Sequence, residues 1–341
     1  MPSPPATRPT MRDVAERAGV SLKTVSRVIN DEAGVAVATA ERVGAAIAEL
    51  GFQRNDLARS LRQGRSSATL GLVIEDVSNP FYSAIAQAVE AAARVRGYML
   101  ITGSCEEDPA RELELVLALL RRRVDALLLV PASSDHAYLR RELGSGTPVV
   151  FLDRPPVGLD ADTVVLDNLG GARAAVEHLL THGHKKIAYV ADPDELYTAA
   201  ERLAGYRRAM EAAKVAVDPD LVKLGTHDAT QAEAVVRDLL TLPEERRPTA
   251  IFTGNNRNTV GALRALRGRE HEIALVGFDD FELADLLAMP TTVVSYDNHD
   301  LGEEAAALAF ARLDGEGDAP PRRIVVPTHV VARGSGEVPP P

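Results

Sequence analysis

One segment, Met11–Asn30 (MRDVAERAGVSLKTVSRVIN), constrains the fold of this 341-residue chain more than any other. It predicts two short helices that are separated by a single glycine. Val14, Ala15 and Ala18 recur at helical spacing and would form the buried face of the first helix. Gly19 would end that helix, because glycine adopts left-handed backbone conformations at little cost. This spacing is typical of a helix-turn-helix, although an ordinary helical hairpin is an alternative.

The second helix of this segment is the one that would contact DNA. Its inward face would consist of Val25, Val28 and Ile29. In a helix-turn-helix the second helix lies in the major groove, where its first residues touch base edges. Other polar groups contact phosphates, which set the register without carrying sequence information. The candidates for base contact are Leu22, Lys23, Ser26 and Arg27, and those for phosphate contact are Thr10, the capping residue Ser21, Thr24 and Asn30.

The run DVAERAGVSLKTVSRVIN resembles, almost residue for residue, the N-terminal signature of the lactose/galactose repressor family of bacterial transcription regulators. A third helix, ATAERVGAAIAELGF, and the segment Asn55–Leu61 extend the resemblance. In the family this last segment is a hinge helix, which orders when two copies meet over the minor groove. The resemblance implies that Leu61 would wedge into the central base step, with Asn55 and Ala58 also at the DNA. An amphipathic linker helix is the alternative.

The N-terminal head departs from the family pattern at two places. Ala36 and Ala40 stand where members usually have a capping serine and an arginine, so about 1 kcal/mol of helix capping would be missing. Leu22 is apolar at a position that reads bases, so it would favour thymine methyl groups or DNA shape. The operator sequence can therefore not be inferred from a relative.

Charge is divided unevenly along the chain. Residues 1–67 carry 10 Lys and Arg against 7 Asp and Glu, whereas the remaining residues carry 28 against 42. The acidic body would be repelled by DNA, so DNA contact should be confined to the head. There is one cysteine, and the sequence shows neither a signal peptide nor a long apolar run. We therefore expect a cytoplasmic protein without membrane contact, which associates with the nucleoid when it binds DNA.

From Thr69 onward, short apolar runs alternate with helical stretches, which predicts parallel sheets with crossover helices. The predicted strands are TLGLVIE, YMLIT, ALLLV and PVVFLD, followed by KIAYV, LVKLG, AIFTG, IALVGF and TTVVSY. The predicted helices lie near Phe81–Arg96, Pro109–Arg123, His136–Leu143, Gly171–Thr181, Ala200–Ala213, Gln231–Leu240 and Asn258–Arg267. This pattern indicates two doubly wound lobes, in which ligands bind at the carboxyl ends of the strands.

The fold class that follows is α/β, with a small all-α helix-turn-helix head, a hinge helix and a two-lobed sensor. The resemblance implies that the sensor is similar to type I periplasmic sugar-binding proteins, whose chain crosses between lobes three times. Proline-rich composition predicts disorder at both ends, in residues 1–9 and 334–341. The expected domains are a head at 10–54, a hinge and linker at 55–67, and a sensor at 68–338, with lobe 1 at about 68–167 and 297–326 and lobe 2 at about 168–296 and 327–338.

Polar side chains follow several predicted strands and are candidates for effector binding. A carboxylate or an arginine fork can bind paired sugar hydroxyls, and an aromatic face can stack on a sugar ring. By motif, the resemblance assigns effector contact to Phe81, Asp153, Arg202, His227, Asn255 and Asp279, with Tyr296 as a weaker candidate. Alternatively, each side chain caps a helix or pairs across the cleft. Asn256 and Arg257 depart from the usual family residues, which makes an anionic or phosphorylated effector more plausible.

Enzymatic and metal-binding functions find little support in the sequence. His178 and His182 are four residues apart, but Gly183 would end their helix before His184, so a metal site is not expected. The chain has no G-x-S-x-G elbow, no P-loop and no G-x-G-x-x-G motif. Cys105 is interpreted as an inert buried thiol. We expect no catalysis, cofactor or metal.

The sequence therefore predicts a ligand-responsive transcription regulator, most simply a repressor. Its expected partners are a pseudo-palindromic double-stranded DNA operator, a sugar or sugar derivative, and a second copy of the chain. No leucine heptad follows RRIVVPTHVVARGSG, which favours a dimer over a tetramer. Inducer and corepressor are both open, and a sugar-binding module without a regulatory role is the alternative function.

Overall fold

The computed structural model describes residues 9–30, 32–52, 67–133, 135–144, 146–317 and 319–341. The chain divides into two compact units, Met1–Ser67 and Ala68–Pro341. The predicted hinge residues Asn55, Ala58 and Leu61 lie outside the described residues, as do residues 1–8 of the predicted disordered N-terminus.

The described residues of the first unit form three helices, α1 (Met11–Ala18), α2 (Leu22–Ile29) and α3 (Val37–Leu50). Gly19 ends α1 in a left-handed conformation with φ 66°, as the helix-turn-helix requires. A small core holds the three helices together through Val14, Ala15, Ala18, Val25, Val43 and Ala46. The predicted helix-turn-helix is confirmed.

The caps of these helices follow the sequence expectations. The Ser21 hydroxyl accepts a hydrogen bond from the Thr24 amide at the start of α2. The start of α3 differs, because Ala36 lies at the capping position and has no side-chain hydrogen bond to offer. The missing cap predicted for the third helix is confirmed.

The second unit is built on two six-stranded sheets. The first contains β1 (Thr69–Ile74), β2 (Met99–Ser104), β3 (Ala126–Leu129), β4 (Val149–Leu152), β5 (Asp162–Leu166) and β11 (Arg323–Val326), in the order β11-β5-β4-β3-β1-β2. The second contains β6 (Ile187–Ala191), β7 (Val222–Leu224), β8 (Ala250–Thr253), β9 (Ala274–Phe278), β10 (Thr292–Ser295) and β12 (His329–Val331), in the order β12-β10-β9-β8-β6-β7. The β10–β12 pair is antiparallel, and the other described strand pairs are parallel.

Helices cover both sheets. They are α4 (Pro80–Val95), α5 (Pro109–Arg121), α6 (Arg140–Gly144), α7 (Asn168–Thr181), α8 (Tyr197–Ala212), α9 (Ala229–Leu240), α10 (Asn256–Ala265) and α11 (Asn298–Ala311). On the first sheet α11 packs against α4, and on the second α7 packs against α8 and α9 against α10. None of the helices in the described part of the chain is long and apolar enough to cross a membrane.

The chain passes between the two sheets three times, after β5, after β10 and after β11. The second unit is therefore a two-lobed, doubly wound α/β structure, which confirms the predicted fold class. The sequence pattern predicted neither β5 nor α11. Asp162 and Thr163 make the start of β5 polar, and the alanine-rich face of α11 gives only a weak amphipathic pattern.

The expectation of disorder at the C-terminus was wrong. Ser335 and Val338 are buried. The His184 Nε2 donates to the Val338 carbonyl at 2.8 Å, and the Glu337 carboxylate accepts from the Thr292 hydroxyl at 2.9 Å. Proline and glycine content predicts disorder only where a segment has no packing partner, and here the second sheet provides one.

Candidate functional site

The start of α2 is exposed on the surface of the first unit. Leu22 is 53% exposed and Lys23 is also exposed. Val25 is buried on the opposite face, so the helix presents its first turn outward, as the sequence predicts. An exposed leucine beside a lysine offers one apolar and one cationic group to a groove.

Several other candidates for DNA contact are held by neighbours within the first unit. Thr10 forms a capping box with Asp13, and its hydroxyl donates to the Asp13 carboxylate at 2.7 Å. The Arg27 guanidinium donates to the Ala33 carbonyl, and the Asn30 amide donates to the Ser26 hydroxyl at 3.3 Å. These contacts orient the side chains, and their contact with DNA stays a prediction.

A cleft in the second unit brings together most of the predicted effector contacts. The space between its lining residues is about 510 Å³ when the open solvent at its mouth is included. Six of the seven predicted residues line it, namely Phe81, Asp153, Arg202, His227, Asn255 and Asp279. The seventh, Tyr296, is absent from the lining, and its hydroxyl donates to the Asp279 carboxylate at 2.7 Å. Tyr296 is therefore placed to orient a lining residue.

Two aspartates at equivalent strand ends carry strained backbone. Asp153 follows β4 with φ 66°, and Asp279 follows β9 with φ 68°. Residues other than glycine rarely adopt a positive φ, because this backbone conformation costs about 1–3 kcal/mol. Such strained residues cluster at ligand-binding sites. Both aspartates are buried. The fold thus turns one carboxylate from each lobe into the cleft.

Arg202 is also buried, and its charge interacts with both carboxylates. Its Nε donates to the Asn168 amide oxygen at 2.7 Å, and its Nη2 lies 3.8 Å from the Asp279 carboxylate. The guanidinium also stacks 3.7 Å from the centroid of the Phe278 ring. These contacts fix the guanidinium plane before any ligand arrives.

Burial dominates the protonation behaviour of the cleft. It raises the pKa of Asp153, with Arg154 and Arg202 opposing the shift. It also raises the pKa of Asp192, and it raises the pKa of Glu75 to about 7 with help from the nearby Glu107 charge. One oxygen of Asp153 has no hydrogen-bond partner among the described residues. This oxygen is a ready acceptor for a ligand hydroxyl.

Further lining residues were not predicted from the sequence. They are Glu75, Asn79, Tyr82, Glu107, Arg154, Asp192, Leu196 and Thr198. Arg257, noted above as a departure from the family pattern, lines the cleft as well. Three of the unpredicted residues follow strands directly or closely, and the rule that predicted Asp153 applies to them as well: Glu75 after β1, Glu107 after β2 and Asp192 after β6. For Leu196 and Thr198, at the start of α8, the sequence offers no comparable signal.

Most charged groups that line the cleft have a partner of opposite charge or a hydrogen-bonding neighbour. Both guanidinium Nη atoms of Arg154 donate to Glu107, at 2.8 and 2.5 Å. Arg257 contacts Asp76, and its Nη1 lies 3.7 Å from the Glu75 carboxylate. The Asn255 amide donates to Asp192 at 2.5 Å while its oxygen caps α10. Asn255 therefore caps α10 and lines the cleft with the same side chain.

Two family models match the chain. One, described as bacterial regulatory proteins of the lacI family, matches residues 10–55. The other, described as a periplasmic binding protein-like domain, matches residues 176–336. The matches coincide with the helix-turn-helix and with most of the second lobe.

Two bacterial transcription regulators are similar in sequence to this chain over nearly its whole length. The ribose operon repressor of Escherichia coli (strain K12) is 36% identical over 310 residues, which cover 89% of this chain and 93% of that protein. The HTH-type transcriptional regulator CelR of Thermobifida fusca is 35% identical over 343 residues, which cover 96% and 98%. The family resemblance found in the sequence is confirmed.

Solved structures of regulators also match this chain over nearly its whole length. The lac repressor dimer bound to operator and the anti-inducer ONPF matches with a TM-score of 0.81 at 27% identity, over 97% of this chain and 99% of that chain. A complex of the transcriptional regulator CelR with cellobiose matches with a TM-score of 0.70 at 33% identity, over 96% and 100%.

Proposed function

The chain belongs to the lacI family of bacterial regulatory proteins, and from this membership we propose that it represses transcription by binding operator DNA in an effector-dependent manner. The first unit would bind DNA through α2, and the cleft of the second unit would bind the effector. The observation that carries the proposal is the cleft itself, because six residues assigned to it from sequence motifs meet there. DNA binding would place the protein in the cytoplasm, at the nucleoid.

We propose a neutral, polyhydroxylated effector of the sugar class. Carboxylates outnumber guanidinium groups in the lining by five to three. Arg154 is paired with Glu107, Arg257 with Asp76, and Arg202 lies near Asp279, so each guanidinium already has an anionic neighbour. A phosphate would add negative charge without a free cation to receive it, whereas hydroxyl groups can donate to the carboxylates. This argues against the phosphorylated effector considered above.

The function is tested by selecting bound sequences from random duplex DNA with the full-length protein at moderate salt. We expect enrichment of a palindrome with a flexible pyrimidine–purine centre, and steep weakening of binding as salt rises. The selected DNA is then titrated with D-ribose, cellobiose and a sugar phosphate as effectors. A neutral sugar should change the affinity and the phosphate should not.

Each result bears on a different part of the proposal. Failure to enrich any motif would contradict sequence-specific DNA binding. A response to the sugar phosphate alone would contradict the neutral effector class and leave the regulatory role intact.

We also propose that the protein acts as a homodimer. Each head reads one half-site, so a palindrome requires two copies. Apolar side chains are exposed on the first lobe, where Leu113 and Leu117 lie one turn apart on α5 and Met99 lies on the edge strand β2. Such exposed apolar groups on neighbouring elements are typical of an interface.

A further inference from the structure

The two lobes meet at one rim of the cleft, where the N-termini of α4 and α10 face each other. Asn79 caps α4 by accepting from the Phe81 amide at 3.2 Å, and the same oxygen accepts from the Asn256 amide of the other lobe at 2.9 Å. Beside this contact, Arg257 of α10 reaches the loop after β1 and pairs with Asp76. Protein atoms alone therefore bridge the lobes at this rim.

Arg257 occupies a position that does not favour a cation. It lies in the first turn of α10, where the helix dipole presents its positive end and a positive side chain is destabilising. Its acidic neighbours both come from the opposite lobe: Asp76, which it contacts, and Glu75, whose carboxyl lies 3.7 Å from Nη1. The electrostatic balance of this helix terminus thus depends on the lobes being together.

The main partner of Arg257 is held in place and stands apart from the ligand space. Asp76 accepts hydrogen bonds from the Ser78 amide at 2.8 Å and from the Ser78 hydroxyl at 2.7 Å, which fix its loop. Asp76 is not among the residues that line the cleft, whereas Arg257 is. The side chains of both are only partly exposed, 31% for Arg257 and 27% for Asp76. A change at Asp76 therefore alters the bridge without removing a ligand contact.

We infer that the Arg257–Asp76 pair is a latch that stabilises the closed cleft independently of the effector. Opening the cleft would separate α10 from the loop after β1 and break the pair. The latch therefore raises the fraction of molecules that are closed before binding. The apparent affinity for an effector is proportional to the fraction of molecules in the binding-competent, closed state. The latch therefore raises the affinity for every effector by the same factor and does not select among effectors.

The test measures lobe separation and needs neither effector nor operator, so it is independent of the proposed function. Spin labels are placed on the full-length protein at Val95→Cys in α4 and Glu211→Cys in α8, two exposed positions on different lobes. Cys105 is buried, at 1% exposure, and is left in place. Labelled protein is diluted with unlabelled protein so that distances within one chain dominate.

The distance between the two labels is measured by pulsed electron paramagnetic resonance in four proteins: wild type, Arg257→Met, Asp76→Asn and the double variant. Asparagine keeps an acceptor for the Ser78 amide, and it replaces the charged oxygen that accepts from the Ser78 hydroxyl and from Arg257. The control is Arg237→Met, which breaks an ion pair of 2.7 Å with Glu233 within α9. It removes the same kind of charge from the same lobe without touching the rim.

We expect each single rim variant to lower the ratio of closed to open molecules about threefold, which lies within the range measured for partly exposed ion pairs. The double variant should be no more open than Arg257→Met alone, because two partners of one contact are not additive. The control should match wild type. Unchanged distances in both single variants, or a double variant equal to the product of the two effects, would overturn the latch.

Discussion

At the scale of single residues, the cleft is governed by buried carboxylates. Glu75 shows the effect most clearly, because burial and the nearby Glu107 charge raise its pKa from 4.5 to about 7. An acid whose pKa is raised by folding favours the folded state while it is protonated. That contribution is fully present below pH 4.5 and is lost as the pH rises through about 7.

We therefore expect Glu75→Gln to stabilise the protein at high pH. The gain in unfolding free energy over wild type should grow by about 1–3 kcal/mol between roughly pH 5 and pH 8. Chemical denaturation of the ligand-free protein at several pH values measures it. The control is Glu90→Gln, at an exposed position on α4. Its unfolding free energy should differ from that of wild type by the same amount at every pH. A gain for Glu75→Gln that does not vary with pH would show that its carboxyl is not perturbed.

At the scale of elements, the weak point of the first unit is the start of α3. Ala36 has the extended backbone of a capping residue, with φ −62° and ψ 139°, but no side-chain acceptor. The first amides of α3 therefore lack the partner that Ser21 supplies to α2. A serine at this position would supply it without a change in backbone.

Ala36→Ser should stabilise α3 by about 1 kcal/mol, which slows amide exchange in that helix about fivefold where exchange requires the unit to open. Hydrogen exchange with mass spectrometry on the full-length protein detects the change. Ala45→Ser introduces the same side chain at an exposed interior position of α3 and should be neutral or slightly destabilising. If both variants protect α3 equally, the effect is not one of capping.

At the scale of the whole molecule, the proposed dimer depends on apolar surface in the first lobe. Leu117 is 40% exposed on α5, one turn after Leu113. Leu117→Glu should make the protein monomeric at concentrations where wild type is dimeric, because a carboxylate would be buried in the interface. Light scattering coupled to gel filtration gives the mass.

The matched control for this change is Leu283→Glu, at an exposed leucine of the second unit. It should leave the mass unchanged if α5 carries the interface. A tetramer in wild type, or a dimer that persists in Leu117→Glu, would contradict the proposed assembly.

Local rules were sufficient to predict much of this protein. A glycine between two amphipathic helices favours a helix-turn-helix over an ordinary helical hairpin, because the left-handed turn and the small buried alanines allow the two helices to pack closely. Alternating strands and helices determine a doubly wound fold, and polar residues at strand ends indicate its cleft. Asp153 and Asp279 were predicted in this way, and Glu75 and Asp192 could have been.

Only the tertiary structure decided which charges meet. The sequence pattern took Arg257 as a sign of an anionic effector, but this residue lies opposite Asp76, which is 181 positions away in the chain. The polar segment after Gly334 packs because His184 and Thr292 lie beside it. A sequence pattern reports the preferences of neighbouring residues along the chain. The charge that a binding site prefers, and whether a terminus is ordered, both depend on partners that only folding brings together.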